Sequence, residues 1–293
     1  MYLGVAVKIR LLLEMIHFSH TIFAFPFALV AMVLASRVAG TLPSLGQVVW
    51  ICLALIGGRT GAMACNRLID RRIDEANPRT TDRHLPSGKV SVGEAALLAA
   101  AGFALLLLAA WRLNPLCLAL APLAIGLLVM YSYSKRFTSL SHLLLGLCLA
   151  LAPAGAWIAL RGSFGWAPLL LSLAVLCWVA GFDIFYALQD QDFDRSWGLR
   201  SLPVRLGTHR AIAVARMLHG LMVILLALLT LVVPVGNVFM VGILLVTALL
   251  FYEHRLVRAD DLSRINQAFF TINGLISLAL LVFALVDAVV TWN

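Results

Sequence analysis

Leu97-Leu-Ala-Ala-Ala-Gly-Phe-Ala-Leu-Leu-Leu-Leu-Ala-Ala110 sets the fold class. It carries no charge and does not alternate, so it is not a strand of a transmembrane barrel, whose residues face lipid and lumen in turn. Leu221–Val233 reads the same way, with Thr230 its single hydroxyl. A run of this kind is a helix in lipid, where each backbone donor and acceptor is satisfied inside the segment. The whole chain agrees: 62% of its 293 residues are hydrophobic and 12% charged, with mean hydropathy +0.98, against roughly 25% charged in soluble domains. At about 20 residues per span, the roughly 182 apolar residues allow about nine helices. Soluble enzymes, nucleic-acid binders and disulfide scaffolds are excluded. Cys52, Cys65, Cys117, Cys148 and Cys177 lie in or beside apolar runs without a CxxC pair and read as packing residues.

The apolar runs predict an all-α, polytopic membrane protein of one domain over 1–293, with spans near 17–39, 46–65, 92–111, 115–133, 139–160, 166–187, 210–233, 235–253 and 267–290. The first run is too long for a signal peptide and lacks a small-residue cleavage site. With the N-terminus inside, nearly all basic residues fall on the cytoplasmic side, leaving Arg37, Arg112 and Arg161 on the other. The expected setting is a bacterial inner membrane, with membrane lipid as a partner and the N-terminus in the cytoplasm. Topology also absorbs most of the net charge of +8, so that charge does not mark a nucleic-acid partner.

Most of the 14 acidic residues sit in two predicted cytoplasmic regions. Asn66, Asp70 and Asp74 recur every four residues, as one helical stripe. Asp183, Tyr186, Asp190 and Asp194, at offsets of three, four and four, form a second. Asp192 points away and reads as a solvated charge. Carboxylates one turn apart repel, so something positive must compensate. Ordinary salt bridges to Arg67, Arg71 and Arg195 are one answer.

Duplication favours another. Asp70 and Asp190, and likewise Asp74 and Asp194, stand 120 positions apart. Each pair is followed by R-x-L-P and then a glycine, as Arg83-His-Leu-Pro86-Ser-Gly88 and Arg200-Ser-Leu-Pro203-Val-Arg205-Leu-Gly207. The offset covers four spans, so both copies emerge on the same side: a four-plus-four parallel repeat plus one helix, whose stripes can face each other across a cytoplasmic cavity. Inverted repeats would put them on opposite faces. Paired carboxylates with basic residues nearby make a hard oxygen site of the kind Mg²⁺ shares with a diphosphate. Arg79, Arg83, Lys135, Arg136, Arg200 and Arg205 are candidates to hold the remaining diphosphate oxygens.

These stripes and the R-x-L-P-S-G loop resemble the UbiA superfamily of intramembrane prenyltransferases, over nearly the whole chain. The segments Asn66–Gly88 and Gly181–Gly207 look most like 4-hydroxybenzoate polyprenyltransferases, especially the UbiA-like branch assigned to menaquinone synthesis by the futalosine route. The resemblance implies nine helices around a central cavity, capped by loops 66–91 and 188–209. It implies two Mg²⁺ ions held by Asn66, Asp70, Asp74, Asp190 and Asp194, with Asp183 and Tyr186 beside them, gripping a polyprenyl diphosphate. The family often has aspartate directly after the motif asparagine, where this chain has Arg67. Ubiquinone or menaquinone synthesis is the implied role, with 4-hydroxybenzoate or a hydroxynaphthoate accepting the prenyl group on its ring. Haem, chlorophyll, a glyceryl phosphate and dihydroxynaphthoate are acceptors of relatives, and a secondary transporter is the rival from another class.

Ionising an allylic diphosphate needs the leaving charge stabilised by metal and arginine, and a dry pocket for the cation, with Tyr131, Tyr133 or Phe182 as candidate aromatic faces. Arg72, Lys135 and Arg136 are candidates for the acceptor's carboxylate; Tyr131–Arg136 reads equally well as an interfacial anchor. His17, Ser19, His20 and Thr21 read as packing or cavity-lining residues. Asn266, Gln267, Thr271 and Asn273 read as interhelical hydrogen bonders, and Asp287 as an interfacial charge.

Overall fold

The computed structural model describes residues 5–16 and 23–291. His17, Ser19, His20 and Thr21 lie outside them. The helices are α1 Val5–Met15, α2 Phe25–Ala39, α3 Leu45–Ala76, α4 Val92–Leu113, α5 Pro115–Tyr133, α6 Ser141–Arg161, α7 Trp166–Ala187, α8 Gln191–Ser196, α9 Leu202–Leu206, α10 Thr208–Leu229, α11 Asn237–Leu256 and α12 Asn273–Thr291. Among the described residues the only β pairing is an isolated bridge between Arg258 and Asp261.

Among the described residues eight helices are long and apolar enough to cross a membrane, where the sequence predicted nine. The predicted first span is represented by α2, whose 15 residues reach roughly 22 Å, short of a hydrocarbon core of about 30 Å. The second span runs well past its predicted end at residue 65, because nothing between Gly61 and Asn77 breaks a helix. Pro78 then disfavours helical backbone at Asn77, and the Thr80 hydroxyl donates to the Asp74 carbonyl at 2.9 Å. At α4 the sequence supplies a capping box: the Glu94 amide donates to Ser91 Oγ at 3.3 Å, and the Ser91 amide to Glu94 Oε2 at 2.8 Å.

The described residues divide into two compact units, one from 5–16 and 49–133, the other from 23–48 and 134–291. In the first, α3 meets α4 backbone to backbone at Gly57, Gly61 and Gly102. A Cβ at Gly102 would lie 2.8 Å from the Gly57 carbonyl oxygen and collide with the Gly61 amide, so glycine is required there.

The second unit packs α6, α7 and α10 together and closes α2 against α6 and α12. Its core holds Trp178, Phe27, Phe185, Phe239 and Met222, all fully buried. A polar chain threads that core. Trp178 Nε1 donates to Asn273 Oδ1 at 2.6 Å, and Asn273 Nδ2 to Glu253 Oε1 at 2.7 Å. His219 Nε2 lies 3.2 Å from the Trp178 carbonyl and must donate to it, so its Nδ1 accepts from His254 Nε2 at 3.0 Å. Asn273 is thus the interhelical hydrogen bonder expected.

Asp287 departs from its reading as an interfacial charge. Its side chain is 1% exposed and pairs with Arg37 at 2.9 Å. It also accepts from the amides of Gly236 at 2.9 Å and Phe239 at 3.1 Å, satisfying donors at the start of α11.

Candidate functional site in two aspartate stripes

The first unit carries Asn66, Asp70 and Asp74 on the uninterrupted α3. Asn66 Nδ2 donates to Asp70 Oδ2 at 2.9 Å and to Ser132 Oγ on α5 at 3.3 Å, so the asparagine orients a carboxylate. Asp74 is buried. Arg83 Nη1 donates to its Oδ1 at 2.6 Å, and Arg67 Nη1 stands 3.7 Å from its Oδ2. That Oδ2 is buried without a hydrogen bond. Arg67 is itself buried and its Nε donates to the Met15 carbonyl at 3.4 Å, which explains why an arginine is accommodated after the motif asparagine.

Arg83 reaches Asp74 because its loop is nailed down by apolar neighbours. Leu85 and Val90 pack into a cluster with Met15, Ile16, Ala64, Ala95 and Ala99, and Gly88 takes the left-handed turn at φ +73°. His84 Nε2 lies 3.5 Å from Glu14 Oε2. The hydrogen bond from Arg10 holds the Glu14 carboxyl below its ordinary value. Arg72 and Arg79 are exposed, and Arg72 meets no carboxylate among the described residues.

The second stripe is not one α-helix. After Ala187 the chain tightens into a 3₁₀ turn over Leu188–Asp190 before α8 begins at Gln191. The 3₁₀ turn winds fewer residues per turn, so Asp183 and Tyr186 on α7 do not share one α-helical register with Asp190 and Asp194. Asp190 and Asp194 are buried. Lys135 Nζ stands 3.6 Å from Asp194 Oδ2, again a buried oxygen without a hydrogen bond. Lys135 and Arg136 lie on a 3₁₀ turn after α5; Arg136 is exposed.

Arg200 and Arg205 do not reach the aspartates. The Arg200 amide donates to the Lys135 carbonyl at 2.7 Å and its Nη1 to the Phe137 carbonyl at 2.8 Å. Arg205 Nη1 donates to Ser139 Oγ at 3.3 Å. They strap the R-x-L-P segment to residues 135–139, and Lys135 is the cation left at Asp194. Tyr186 stacks on Phe269 with ring centroids 4.3 Å apart, and Phe269 also meets Phe182 at 5.2 Å and Phe23 at 5.6 Å. His142 was not singled out from sequence. It is wholly buried and its Nδ1 lies 2.6 Å from Asp183 Oδ2. A histidine seven residues after Lys135, opening an apolar helix, was the available signal.

Among the described residues no three His, Cys, Asp or Glu side chains form a ready metal cluster. Each unit contributes instead a buried carboxylate with one oxygen orphaned and a cation alongside.

The sequence profile of the UbiA prenyltransferase family matches residues 24–275. The chain belongs to that family. Relatives named 4-hydroxybenzoate octaprenyltransferase include one from Vibrio vulnificus, 31% identical over 75% of this chain and 78% of its own. Another from Alkalilimnicola ehrlichii is 32% identical over 82% and 83%. A UbiA homologue from Aeropyrum pernix superposes with TM-score 0.83 at 33% identity, covering 92% of this chain and 98% of that one. A homologue from Archaeoglobus fulgidus bound to GPP and Mg²⁺ shares the fold, with TM-score 0.69 at 24% identity over 91% and 98%. This UbiA protein is accordingly a polytopic integral membrane prenyltransferase.

Proposed function

We propose that this UbiA protein transfers a polyprenyl group from polyprenyl diphosphate to the ring of an aromatic acid, 4-hydroxybenzoate or a hydroxynaphthoate, in a Mg²⁺-dependent step of ubiquinone or menaquinone synthesis. The observation that carries the reading is the pair of orphaned carboxylate oxygens, Asp74 Oδ2 and Asp194 Oδ2, each buried beside a cation. A buried acceptor without a donor is costly, and a hard divalent cation is the ligand such oxygens satisfy. The donor sets therefore fit one Mg²⁺ in each unit, with Asp70 and Asp74 as holders and Asn66 orienting Asp70 in the first, and Asp190 and Asp194 as holders in the second. When bound, Mg²⁺ supplies Lewis-acid stabilisation of the departing diphosphate.

The chain's own groups do the rest. Arg83 and Lys135, already at the carboxylates, offer positive charge to the remaining phosphate oxygens. Apolar helix faces take the prenyl tail and keep water from the allylic cation. Tyr186, Phe269 and Phe182 present aromatic faces in one cluster. Arg72 and Arg136, both exposed, are the candidates for the acceptor carboxylate. We place the protein in a bacterial inner membrane with this site on the cytoplasmic side, the side resting on the distribution of basic residues.

The test is prenyl transfer by purified protein from octaprenyl diphosphate to radiolabelled 4-hydroxybenzoate or dihydroxynaphthoate. Asp70→Ala and Asp190→Ala are each expected to lower the rate by at least about 10²-fold, the scale of losing a charge-stabilising group. Undiminished transfer by both variants would overturn the assignment.

A further inference from the structure

Prenylating an aromatic ring has a second half besides ionisation of the diphosphate. Once the ring's electron pair has bonded the prenyl carbon, the proton on that ring carbon must leave. The C–H pair then returns to the ring and restores aromaticity. A carboxylate held apart from the diphosphate, toward the apolar part of the span, is one group able to accept that proton.

Apart from Asp70, Asp74 and Glu75 near the end of α3 and Glu94 at the start of α4, three carboxylates of the described residues lie on the long apolar helices: Glu253, Asp287 and Asp183. Glu253 is wholly buried and accepts from Asn273 at 2.7 Å. Asp287 is committed to Arg37 and to two amides of α11. Asp183 differs. One oxygen, Oδ2, lies 2.6 Å from His142 Nδ1, the other has no partner among the described residues, and the side chain is 16% exposed, while His142 is sealed at 0%. The Leu202 amide donates to His142 Nε2 at 3.4 Å, so Nε2 is the acceptor and Nδ1 carries the hydrogen donated to Asp183. Leu202 belongs to the R-x-L-P segment, so the loop that follows the second stripe sets the tautomer of the histidine that holds Asp183. Asp183 stands seven residues before Asp190, roughly 10 Å along the helix toward the middle of the span, with Tyr186 one turn away.

Resting on the prenyl-transfer reading, we infer that Asp183 is the general base that takes the ring proton on Oδ1, and that His142 is the positioning residue that holds Oδ2 and aims Oδ1. The proton stays on Asp183 until it exchanges to water after the product leaves; nothing is oxidised or reduced.

The experiment compares light 4-hydroxybenzoate with acceptor deuterated at the ring carbons beside the hydroxyl, using octaprenyl diphosphate and Mg²⁺. Wild-type protein is expected to show no isotope effect, because ionisation precedes proton loss and limits the rate. Asp183→Asn is expected to lower kcat by about 10²-fold or more, to acquire a normal deuterium isotope effect, and to keep the KM for the diphosphate. His142→Leu should shift both quantities in the same direction. His142→Asn, whose amide nitrogen replaces Nδ1 as donor, should restore most of kcat. Loss of kcat in Asp183→Asn without an isotope effect, or with a raised KM for the diphosphate, would overturn the inference while leaving prenyl transfer intact. Wild-type protein that forms no prenylated product would overturn both.

Discussion

Replacing Asp287 with alanine removes the acceptor of three bonds at once, from Arg37 at 2.9 Å, Gly236 at 2.9 Å and Phe239 at 3.1 Å. Removing one partner of a buried ion pair costs about 3–5 kcal/mol, because the other charge is stranded. Arg37, with its side chain 10% exposed, keeps bonds to the Asp287 carbonyl and Thr291, which favours the lower end of that range. The two amides at the start of α11 add the loss of a helix cap, about 1 kcal/mol. The expected destabilisation is about 4 kcal/mol, the sum being less than additive since the groups share one carboxylate. The assay is reversible unfolding in mixed micelles with rising SDS, followed by tryptophan fluorescence. Asp287→Asn keeps one neutral acceptor and should fall between. The double variant Arg37→Met with Asp287→Leu leaves no stranded charge and should be more stable than Asp287→Ala. An Asp287→Ala protein within about 1 kcal/mol of wild type, or a double variant worse than the single one, would refute the reasoning.

Gly102→Ala should part α3 from α4 and cost about 1–3 kcal/mol by overpacking, read in the same unfolding assay; Gly126→Ala, where nothing lies within 4 Å, is the control expected to change little. Arg67→Asp, which places the family's common residue after the motif asparagine, should destabilise the chain by about 3 kcal/mol or more, because it buries a second carboxylate near Asp74 and removes a cation. Chelation with EDTA should abolish prenyl transfer. Added Mg²⁺ should restore it and Ca²⁺ should restore less, since the larger ion prefers more ligands at longer distance; full activity in chelator would contradict the donor-set reading. Arg83→Gln should raise the KM for the diphosphate more than that for the acceptor, measured by steady-state kinetics.

Composition and spacing alone determine that this chain is helical and embedded in a membrane, because an apolar run without alternation has no other way to satisfy its backbone in lipid. The spacing of Asn66, Asp70 and Asp74 likewise determines a carboxylate stripe, since four residues make about one turn wherever the helix lies. The repeat at Asp190 and Asp194 and the R-x-L-P loops were legible for the same local reason. What depends on other parts of the chain was not legible. The second stripe passes through a 3₁₀ turn at Leu188–Asp190, and the described part of the first apolar run is the 15-residue α2, shorter than a span. Which cation meets which carboxylate was decided by tertiary structure: Arg83 goes to Asp74 because Leu85 anchors its loop, Lys135 goes to Asp194, and Arg200 and Arg205 are spent on residues 137–139. His142 meets Asp183, 41 positions away, and Asp287 meets Arg37, 250 positions away. Helical periodicity tells which residues share a face over one or two turns, but partners this distant are chosen by how helices pack, and a lone histidine or aspartate shows no trace of its partner until they do.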